Sequence, residues 1–339
     1  MDDESRLRSE VLREASGHIL ARALHTAVEL TLADRCFAEA KTPEELAGEC
    51  RADATAVGRL MHFLARHGYF SVAPNGRYAP TAAGAMLSVN AAGHAAAVIR
   101  SLGSREVWKA FERLPDAIAS GEPSEHRRGG RVYAPIEPAS HQAAFDEAMA
   151  GFHWGEAEAV AEAIAEARHV AGAKCVIDVG GGSGGLLTAI LGRHKHLNGI
   201  IFDRPGISSV AKRAIKAAGL SDRCRFRGGN FFEGVPAGGD VYILSHILHD
   251  WADEEARAIL HSCRRASVKG ALLLIVEALR LSREEDDYGL PADLLLLANT
   301  EGRLRTMDEY RALLASSGFD CSRVIGTAAP VSLVEAVAR

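Results

Sequence analysis

Several features of membrane, secreted and nucleic-acid-binding proteins are missing from this chain of 339 residues. Its apolar runs fall short of the ~20 residues that a membrane span needs, and its acidic start at Met1–Glu4 lacks the apolar segment of a signal peptide. A formal net charge of −5 leaves no basic excess for nucleic acid or anionic lipid. We therefore expect a cytoplasmic protein that binds neither nucleic acid nor a membrane.

The cysteines and histidines do not have the spacing of a metal site. The six cysteines, at positions 36, 50, 175, 224, 263 and 321, form no C-x-x-C pair, and several stand in apolar runs. Reduced thiols in the cores are the better interpretation. His246 with His249 and Asp250, and His194 with His196, do not resemble a zinc pattern either. We expect no bound metal.

Length and pattern predict two main domains joined by helices, since domains usually contain roughly 100–200 residues. Residues 1–100 are helical and include a winged-helix pattern, residues 101–170 form linking helices that contribute to a substrate pocket, and residues 171–339 form an α/β domain. The helical pattern from Leu7 to about Ala40 has an apolar stripe that needs a partner.

The winged helix raises the alternative of a DNA-binding regulator. Thr42 and Pro43 begin its first helix, a second helix covers 55–68, and a hairpin turns around Asn75. Residues 41–90, however, contain five Lys or Arg against four Asp or Glu, and the would-be recognition helix is mostly apolar. That composition suits packing better than phosphate contact, so DNA binding is only a distant alternative.

A glycine-rich segment points to a ligand that meets the backbone. Val176, Ile177 and Val179 are typical of a buried parallel strand, Asp178 lies among them, and five of the next six residues are glycine. A strand, a glycine loop and a helix N-terminus together form a nucleotide-type site. The loop also has the G-x-G-x-x-G spacing, so by itself it fits a dinucleotide as well as S-adenosylmethionine.

The order of strands separates these two cofactors. Strands are predicted at 175–179, 199–203, 224–228, 240–245, 271–277, 322–327 and 331–338. Alternation with helices indicates a doubly wound parallel sheet. The last two strands are joined by too few residues for a parallel crossover and must be antiparallel. That hairpin favours an S-adenosylmethionine-dependent methyltransferase sheet over a dinucleotide domain.

Taken together, these motifs resemble the small-molecule O-methyltransferases, especially the bacterial antibiotic-biosynthesis branch that acts on aromatic polyketides or phenazines. The resemblance spans nearly the whole chain and rests on DVGGGSG (178–184), FDRP (202–205), GNFF (229–232), ILHDW (247–251), VE (276–277) and GRLRT (302–306). It implies a seven-stranded Rossmann-like sheet with an antiparallel C-terminal hairpin. It also implies an N-terminal winged-helix domain that forms a homodimer, and S-adenosylmethionine as cofactor.

The cofactor site is expected to draw on five segments. Asp203 ends the second strand, where a carboxylate can accept hydrogen bonds from ribose hydroxyls. Arg204 stands where the family often has leucine, and Asn230 where it usually has aspartate for the adenine amino group; a turn role for Asn230 is the alternative. The other expected cofactor residues are Asp178, Gly180, Gly182, Phe231, Ser245 and Trp251.

The expected chemistry is methyl transfer to a hydroxyl of a small aromatic natural product. A phenol ionises near pKa 10, so a base must take its proton, and His249 suits that work. Glu277 could orient the imidazole, and because Leu304 replaces a second glutamate of plant members, Glu277 would act alone. Asp250, for which a catalytic role is the alternative, is predicted to be the N-cap of the following helix, with Asp253 at N3.

The substrate would be bordered by Phe145, Met149 and His153 on one helix, whose family counterparts line the pocket, and by Asn299. As a pattern alone, the first three are typical of core packing, and Asn299 of a helix C-cap. N-methylation, decarboxylation or hydroxylation on the same scaffold are the alternative reactions.

Overall fold

The computed structural model describes residues 3–123, 139–165, 170–280 and 289–339. The chain divides into two compact units: Met1–Lys109 with Glu137–Trp154, and Ala110–Ile136 with Gly155–Arg339. We call them the N-terminal and the C-terminal unit. Among the described helices, none is long and apolar enough to cross a membrane.

The N-terminal unit contains the predicted winged helix. Its elements are α1 (Asp3–Ala15), α2 (Gly17–Glu29), α3 (Leu32–Phe37), α4 (Pro43–Cys50), α5 (Ala54–Arg66), β1 (Phe70–Val72), β2 (Tyr78–Pro80), α6 (Ala82–Ala85), α7 (Ala95–Leu102) and, later in the chain, α10 (Ala139–Phe152). Helix α8 (Arg105–Glu112) begins in this unit and ends in the C-terminal unit. Thr42 caps α4 in a capping box with Glu45. Asp53 caps α5, and β1 pairs antiparallel with β2.

The predicted N-terminal helical stretch is divided into three helices. Thr31, between α2 and α3, has a left-handed backbone with φ of +49°. The core of the unit contains Val28, Leu32, Met61 and Leu64, which lie on α2, α3 and α5. By contrast, α1 has no buried residue. Its apolar side chains are therefore open to a partner.

The C-terminal unit has the expected α/β architecture. After α9 (Leu114–Ser120) and α11 (Glu156–Ala165), its elements are β3 (Cys175–Val179), α12 (Gly185–Arg193), β4 (Asn198–Asp203), α13 (Ser208–Ala217), β5 (Cys224–Gly228), β6 (Val241–Ser245), α14 (Asp253–Ala266), β7 (Leu272–Glu277), α15 (Gly289–Asn299), α16 (Met307–Ser316), β8 (Phe319–Gly326) and β9 (Ser332–Ala338). Seven strands form one sheet in the order β5-β4-β3-β6-β7-β9-β8.

The sheet confirms the prediction of a parallel body with an antiparallel hairpin. Strands β5, β4, β3, β6 and β7 are parallel, and β9 pairs antiparallel with both β7 and β8. Helices α11, α12 and α13 cover one face, while α14 and α16 cover the other. The strand order reverses between β3 and β6, so the loops after β3, β4, β6 and β7 meet at the carboxyl edge, where such sheets bind ligands.

Candidate active site

The glycine loop after β3 lies against the neighbouring strand and loop. Gly180 donates its N–H to the Phe202 carbonyl at 2.7 Å. It has φ of +77°, and a Cβ there would lie 2.3 Å from the Ile247 side chain. Gly182 has φ of +53°, and Gly184, also left-handed, is the N-cap of α12. Only glycine fits both the conformation and the space at position 180.

Asp203 fixes this loop from the end of β4. Its Oδ2 accepts the Gly182 N–H at 2.8 Å, and its Oδ1 accepts the Arg204 N–H at 2.6 Å. The guanidinium of Arg204 turns back to the same carboxylate, with Nε at 3.9 Å from Oδ1. Carboxylate oxygens have several lone pairs. The arrangement therefore still allows Asp203 to accept from ribose hydroxyls.

Asp178 is a buried acid beneath the loop. Burial, and next the charge of Asp203, raise the pKa of Asp178 to about 7. Its Oδ1 has no hydrogen-bond partner among the described residues. A buried carboxylate in this condition is costly unless a cation or donor meets it. The ammonium group of S-adenosylmethionine would satisfy it, so the residues here fit that cofactor.

The segment predicted to hold adenine is engaged in local contacts. Asn230 accepts the Phe232 N–H at 3.0 Å and donates to Glu233 at 3.1 Å, which is the turn role given as the alternative. The rings of Phe231 and Phe232 stand edge-on to Trp251, with centroids 6.0 and 4.7 Å away. Trp251 is buried and anchors this cluster. The adenine roles of Asn230, Phe231 and Trp251 stay predictions.

His249 and Glu277 come together, although 28 residues separate them. His249 lies in a short 3₁₀ turn, Leu248–Asp250, after β6, and Glu277 is the fully buried last residue of β7. Nδ1 of His249 is 2.5 Å from Oε2 of Glu277. Oε1 of Glu277 accepts the Leu248 and His249 N–H groups at 3.0 and 3.3 Å. One carboxylate therefore fixes both the ring and its backbone.

Electrostatics make this imidazole an unusually strong base. Burial alone would lower the pKa of His249, but the charges of Glu277 and Asp250 outweigh it and raise the pKa to about 9. For Glu277, burial acts to raise the pKa, and the attraction of His249 overcomes this and lowers it. The pair is therefore an imidazolium beside a carboxylate at neutral pH.

The prediction that Asp250 is an N-cap is wrong. Helix α14 begins at Asp253 with Ala252 as N-cap, two residues after Asp250. The intervening 3₁₀ turn instead leaves Oδ1 of Asp250 at 3.6 Å from Nε2 of His249. The expectation that Glu277 would be the one acid beside the histidine is corrected as well, because two carboxylates flank the ring.

Arg305 belongs to the GRLRT motif, and its contacts could not be predicted from the sequence. Its side chain is 1% exposed and donates to the Leu248 carbonyl at 2.6 Å and the Trp251 carbonyl at 2.7 Å. It also donates to Asp253 at 2.8 Å. A buried arginine thus holds both ends of the turn that carries His249.

His246 and Glu156 form a second pair that the sequence did not reveal. Nε2 of His246 lies 2.6 Å from Oε2 of Glu156, the buried first residue of α11. The pair joins residues 90 positions apart. The periodicities of helices and strands, 3.6 and 2 residues, give no signal for a contact at that separation.

A metal is a poor fit to these groups. Potential ligand atoms of His246, His249 and Glu277 lie within 4.8 Å of one another. In the two histidine–carboxylate pairs, however, nitrogen and oxygen are only 2.5 and 2.6 Å apart. Ligands that each sit about 2.0 Å from a tetrahedral zinc are farther apart than this. That no metal binds stays a prediction.

The remaining predicted site residues are placed as follows. Ser245 ends β6 and is half-buried. Phe145, Met149 and His153 lie in the N-terminal unit, on α10 and just after it, with half-buried side chains. Asn299 ends α15 and donates to the Leu295 carbonyl at 2.9 Å, as a helix-terminal residue does. Their ligand-binding roles stay predictions.

Comparison with known proteins identifies both units. Residues 111–320 match the O-methyltransferase domain family, and residues 12–90 match the O-methyltransferase dimerisation domain family. Phenazine O-methyltransferase PhzM of Lysobacter antibioticus is 35% identical over 97% of this chain and 96% of its own. Aclacinomycin 10-hydroxylase RdmB of Streptomyces purpurascens is 31% identical over 91% of this chain and 83% of its own.

A solved relative carries the cofactor. The O-methyltransferase NcsB1 of neocarzinostatin biosynthesis, in complex with S-adenosylmethionine and 2-hydroxy-5-methyl naphthoic acid, superposes with a TM-score of 0.79. It is 31% identical to this chain, with 94% of this chain and 96% of that one covered.

Proposed function

Because this chain belongs to the S-adenosylmethionine-dependent O-methyltransferase family, we propose that it methylates a hydroxyl of a small aromatic natural product, with His249 as general base. The observation that carries the proposal is the contact of 2.5 Å between His249 and the fully buried Glu277. His249 follows β6 and Glu277 ends β7, at the carboxyl edge of the sheet that also holds the glycine loop.

The cofactor, when bound, supplies a methyl group on a positively charged sulfur. We propose that Asp178, Gly180, Gly182, Asp203 and Arg204 hold it. The loop would contribute backbone N–H groups, and Asp203 would accept from the ribose. Asn230, Phe231, Ser245 and Trp251 would border the adenine and the rest of the cofactor.

Glu277 raises the pKa of His249 towards that of a phenol, so that proton transfer between the two groups is less unfavourable. The phenol gives its proton to Nε2 of His249, which later releases it to solvent. A phenol of pKa about 10 facing an ordinary histidine of pKa about 6.5 must cross a gap of about 3.5 pKa units. With the pKa of His249 raised to about 9, that gap is about one unit. The neutral, active form of the ring accordingly becomes more abundant as the pH rises towards 9.

The partners of the enzyme follow from its relatives and its surface. The substrate is proposed to be aromatic because PhzM and NcsB1 are named for phenazine and neocarzinostatin chemistry. Phe145, Met149, His153 and Asn299 would line its pocket. The N-terminal domain is proposed to form a homodimer, because it matches a dimerisation domain and exposes Leu7, Val11 and Leu12 along α1.

We place the enzyme in the cytoplasm, since its six cysteines are all free thiols, as a reducing compartment favours. We also propose domain boundaries near residues 100 and 170, which separate the dimerisation domain, the linking helices and the cofactor-binding domain.

The test is a His249→Ala variant, assayed with labelled cofactor and a panel of phenols, naphthols and phenazines. We expect turnover to fall by at least the 10²–10⁴-fold typical of a lost general base, while cofactor affinity is kept. His261→Ala, at an exposed histidine on α14, is the matched control. Unchanged turnover in His249→Ala would remove the base role, and lost cofactor binding would make His249 structural.

A second candidate is hydroxylation, because RdmB is named a hydroxylase and matches most of this chain. The same incubation separates the two reactions. Methyl transfer places the label in the product, whereas hydroxylation, which consumes O2 and a two-electron reductant added to the incubation and forms water, gives an unlabelled product with one more oxygen. Amine acceptors in the panel distinguish N-methylation from O-methylation.

A further inference from the structure

Asp178 is an acid in apolar surroundings. The residue is 1% exposed, and in the register of the sheet it lies between Ile201 of β4 and Ile243 of β6, which are both fully buried. On the helices that cover this face, α11, α12 and α13, Glu156 is paired with His246 and the other charged residues are exposed. Such surroundings disfavour an ionised carboxylate and favour the neutral acid.

The glycine loop next to Asp178 does not satisfy it. Four N–H groups of the loop are donated to the Phe202 carbonyl, to the Gly181 carbonyl and to Asp203; they belong to Gly180, Gly181, Gly182 and Gly184. Oδ1 of Asp178 has no hydrogen-bond partner in the described part of the chain. Oδ2 lies against the loop, because a Cβ at Gly181 would be only 2.6 Å from it. The carboxyl group therefore adjoins the loop with one oxygen unsatisfied.

A second acid acts in the same direction as burial. Among the described residues, the charge that acts on Asp178 is that of Asp203, at the end of β4. Burial, and next this charge, raise the pKa of Asp178 to about 7, so that roughly nine in ten free molecules carry the proton at pH 6. On β5, burial and next the charge of Asp178 raise the pKa of the Cys224 thiol to about 11, so Cys224 stays neutral.

We propose, resting on the proposed cofactor site, that Asp178 carries a proton in the free protein and releases it when a ligand with an ammonium group binds at the glycine loop. The O–H bond of Asp178 breaks, its electron pair stays on the carboxylate, and the proton passes to the buffer. The carboxylate then pairs with the ammonium, which compensates for its burial.

This coupling has a defined direction and a defined ligand preference. The free protein binds the proton more tightly than the complex does, so acid favours the free protein and the affinity for the cofactor falls as the pH falls. A ligand without an ammonium leaves Asp178 protonated, and its affinity does not depend on this group. Asp178 thus selects the amino-acid end of the cofactor over a bare nucleoside thioether.

The test is calorimetry with S-adenosylhomocysteine, which has the ammonium but no reactive methyl group. Titrations in two buffers of different ionisation enthalpy give the number of protons released per ligand bound. We expect about 0.9 proton at pH 6.0 and about 0.2 at pH 7.5. The Kd should rise about 25-fold from pH 7.5 to pH 5.5, because only the ionised acid pairs with the ligand. With 5′-methylthioadenosine, which lacks the amino-acid end, we expect no release and a Kd that changes by less than about threefold.

Two variants assign the released proton to its residue. Asp178→Asn resembles the neutral acid in size and charge, so it should keep the thermal midpoint of the wild type at pH 6. It should bind S-adenosylhomocysteine at least about tenfold more weakly at pH 7.5, without proton release and with a Kd independent of pH. Asp222→Asn, at an exposed aspartate before β5, is the matched control and should release the proton as the wild type does.

The outcomes separate the inference from the function on which it rests. Binding of S-adenosylhomocysteine without proton release at pH 6, equal release with 5′-methylthioadenosine, or release that persists in Asp178→Asn would each overturn the inference while the proposed methyl transfer stands. The two ligands are compared on the wild-type protein, so the first two results are decisive even if Asp178→Asn does not fold. No binding of S-adenosylhomocysteine at any pH would overturn the proposed cofactor site and the function with it.

Discussion

Replacing Glu277 by glutamine tests whether the acid, and not simply the histidine, sets the chemistry. Glutamine keeps the size of the side chain and one oxygen, so the bonds from the Leu248 and His249 N–H groups to Oε1 can survive. The other end becomes an NH₂ facing Nδ1 of His249, where Oε2 stood at 2.5 Å. A donor there forces the neutral ring to carry its proton on Nε2, the nitrogen that must accept from the substrate.

The size of the effect follows from the pKa of the ring. Without the charge of Glu277, the pKa of His249 moves from about 9 back towards 6.5 or below, because burial then acts with less opposition. The change is worth about 3 kcal/mol. The gap to a phenol of pKa about 10 widens from about one unit to at least 3.5. We expect kcat to fall by up to about 300-fold, with the wrong tautomer adding to the loss.

The assay is kcat against pH from 6 to 10, and the direction can be stated beforehand. A histidine works as a base only when neutral, so wild-type activity should rise with pH and level off near 9. In Glu277→Gln the rise should end near 6.5 or lower, at a much smaller plateau. Glu335→Gln, a buried glutamate on β9 of the same sheet, is the control and should keep the wild-type profile.

Two results would refute this reasoning. A variant whose activity still rises to about pH 9 would mean that Glu277 does not raise the pKa of His249. A variant equally impaired on an acceptor that is already ionised at neutral pH would mean that the loss lies in positioning and not in proton transfer.

Three further predictions concern the framework of the site. Gly180→Ala should weaken cofactor binding at least tenfold by calorimetry, since its Cβ would lie 2.3 Å from Ile247; Gly206→Ala, which meets nothing, should not. Arg305→Lys should lower the free energy of unfolding by about 3 kcal/mol in urea and reduce kcat, because buried carbonyls lose donors. Val11→Glu should produce monomers in sedimentation, and a dimer unaffected by it would place the interface elsewhere.

The sheet could be predicted almost strand by strand. Runs such as Val176–Ile177 are β-branched and buried on both faces, and the strand that contains them is followed at once by glycine. The shortness of the loop between β8 and β9 also determined their antiparallel pairing.

Contacts between distant segments could not be predicted in the same way. Asp250 has the residue type of an N-cap, but the 3₁₀ turn before α14 shifted the start of the helix by two residues. Arginine is ordinarily an exposed residue, so nothing in the sequence indicated that Arg305 is buried. The pairing of Glu156 with His246 depends on how α11 packs on the sheet.

The hydrogen bonds of Arg305 to the turn that carries His249 limit which segments can be exchanged between related enzymes. The turn that carries His249, the proposed base, is tied by its carbonyls to a side chain more than fifty residues later in the chain. A chimera joined between β7 and α16 would therefore combine this turn from one enzyme with the residue at position 305 from another, and the two would not have evolved together. Recombination of such enzymes should preserve function best when residues 246–309 are inherited as one block.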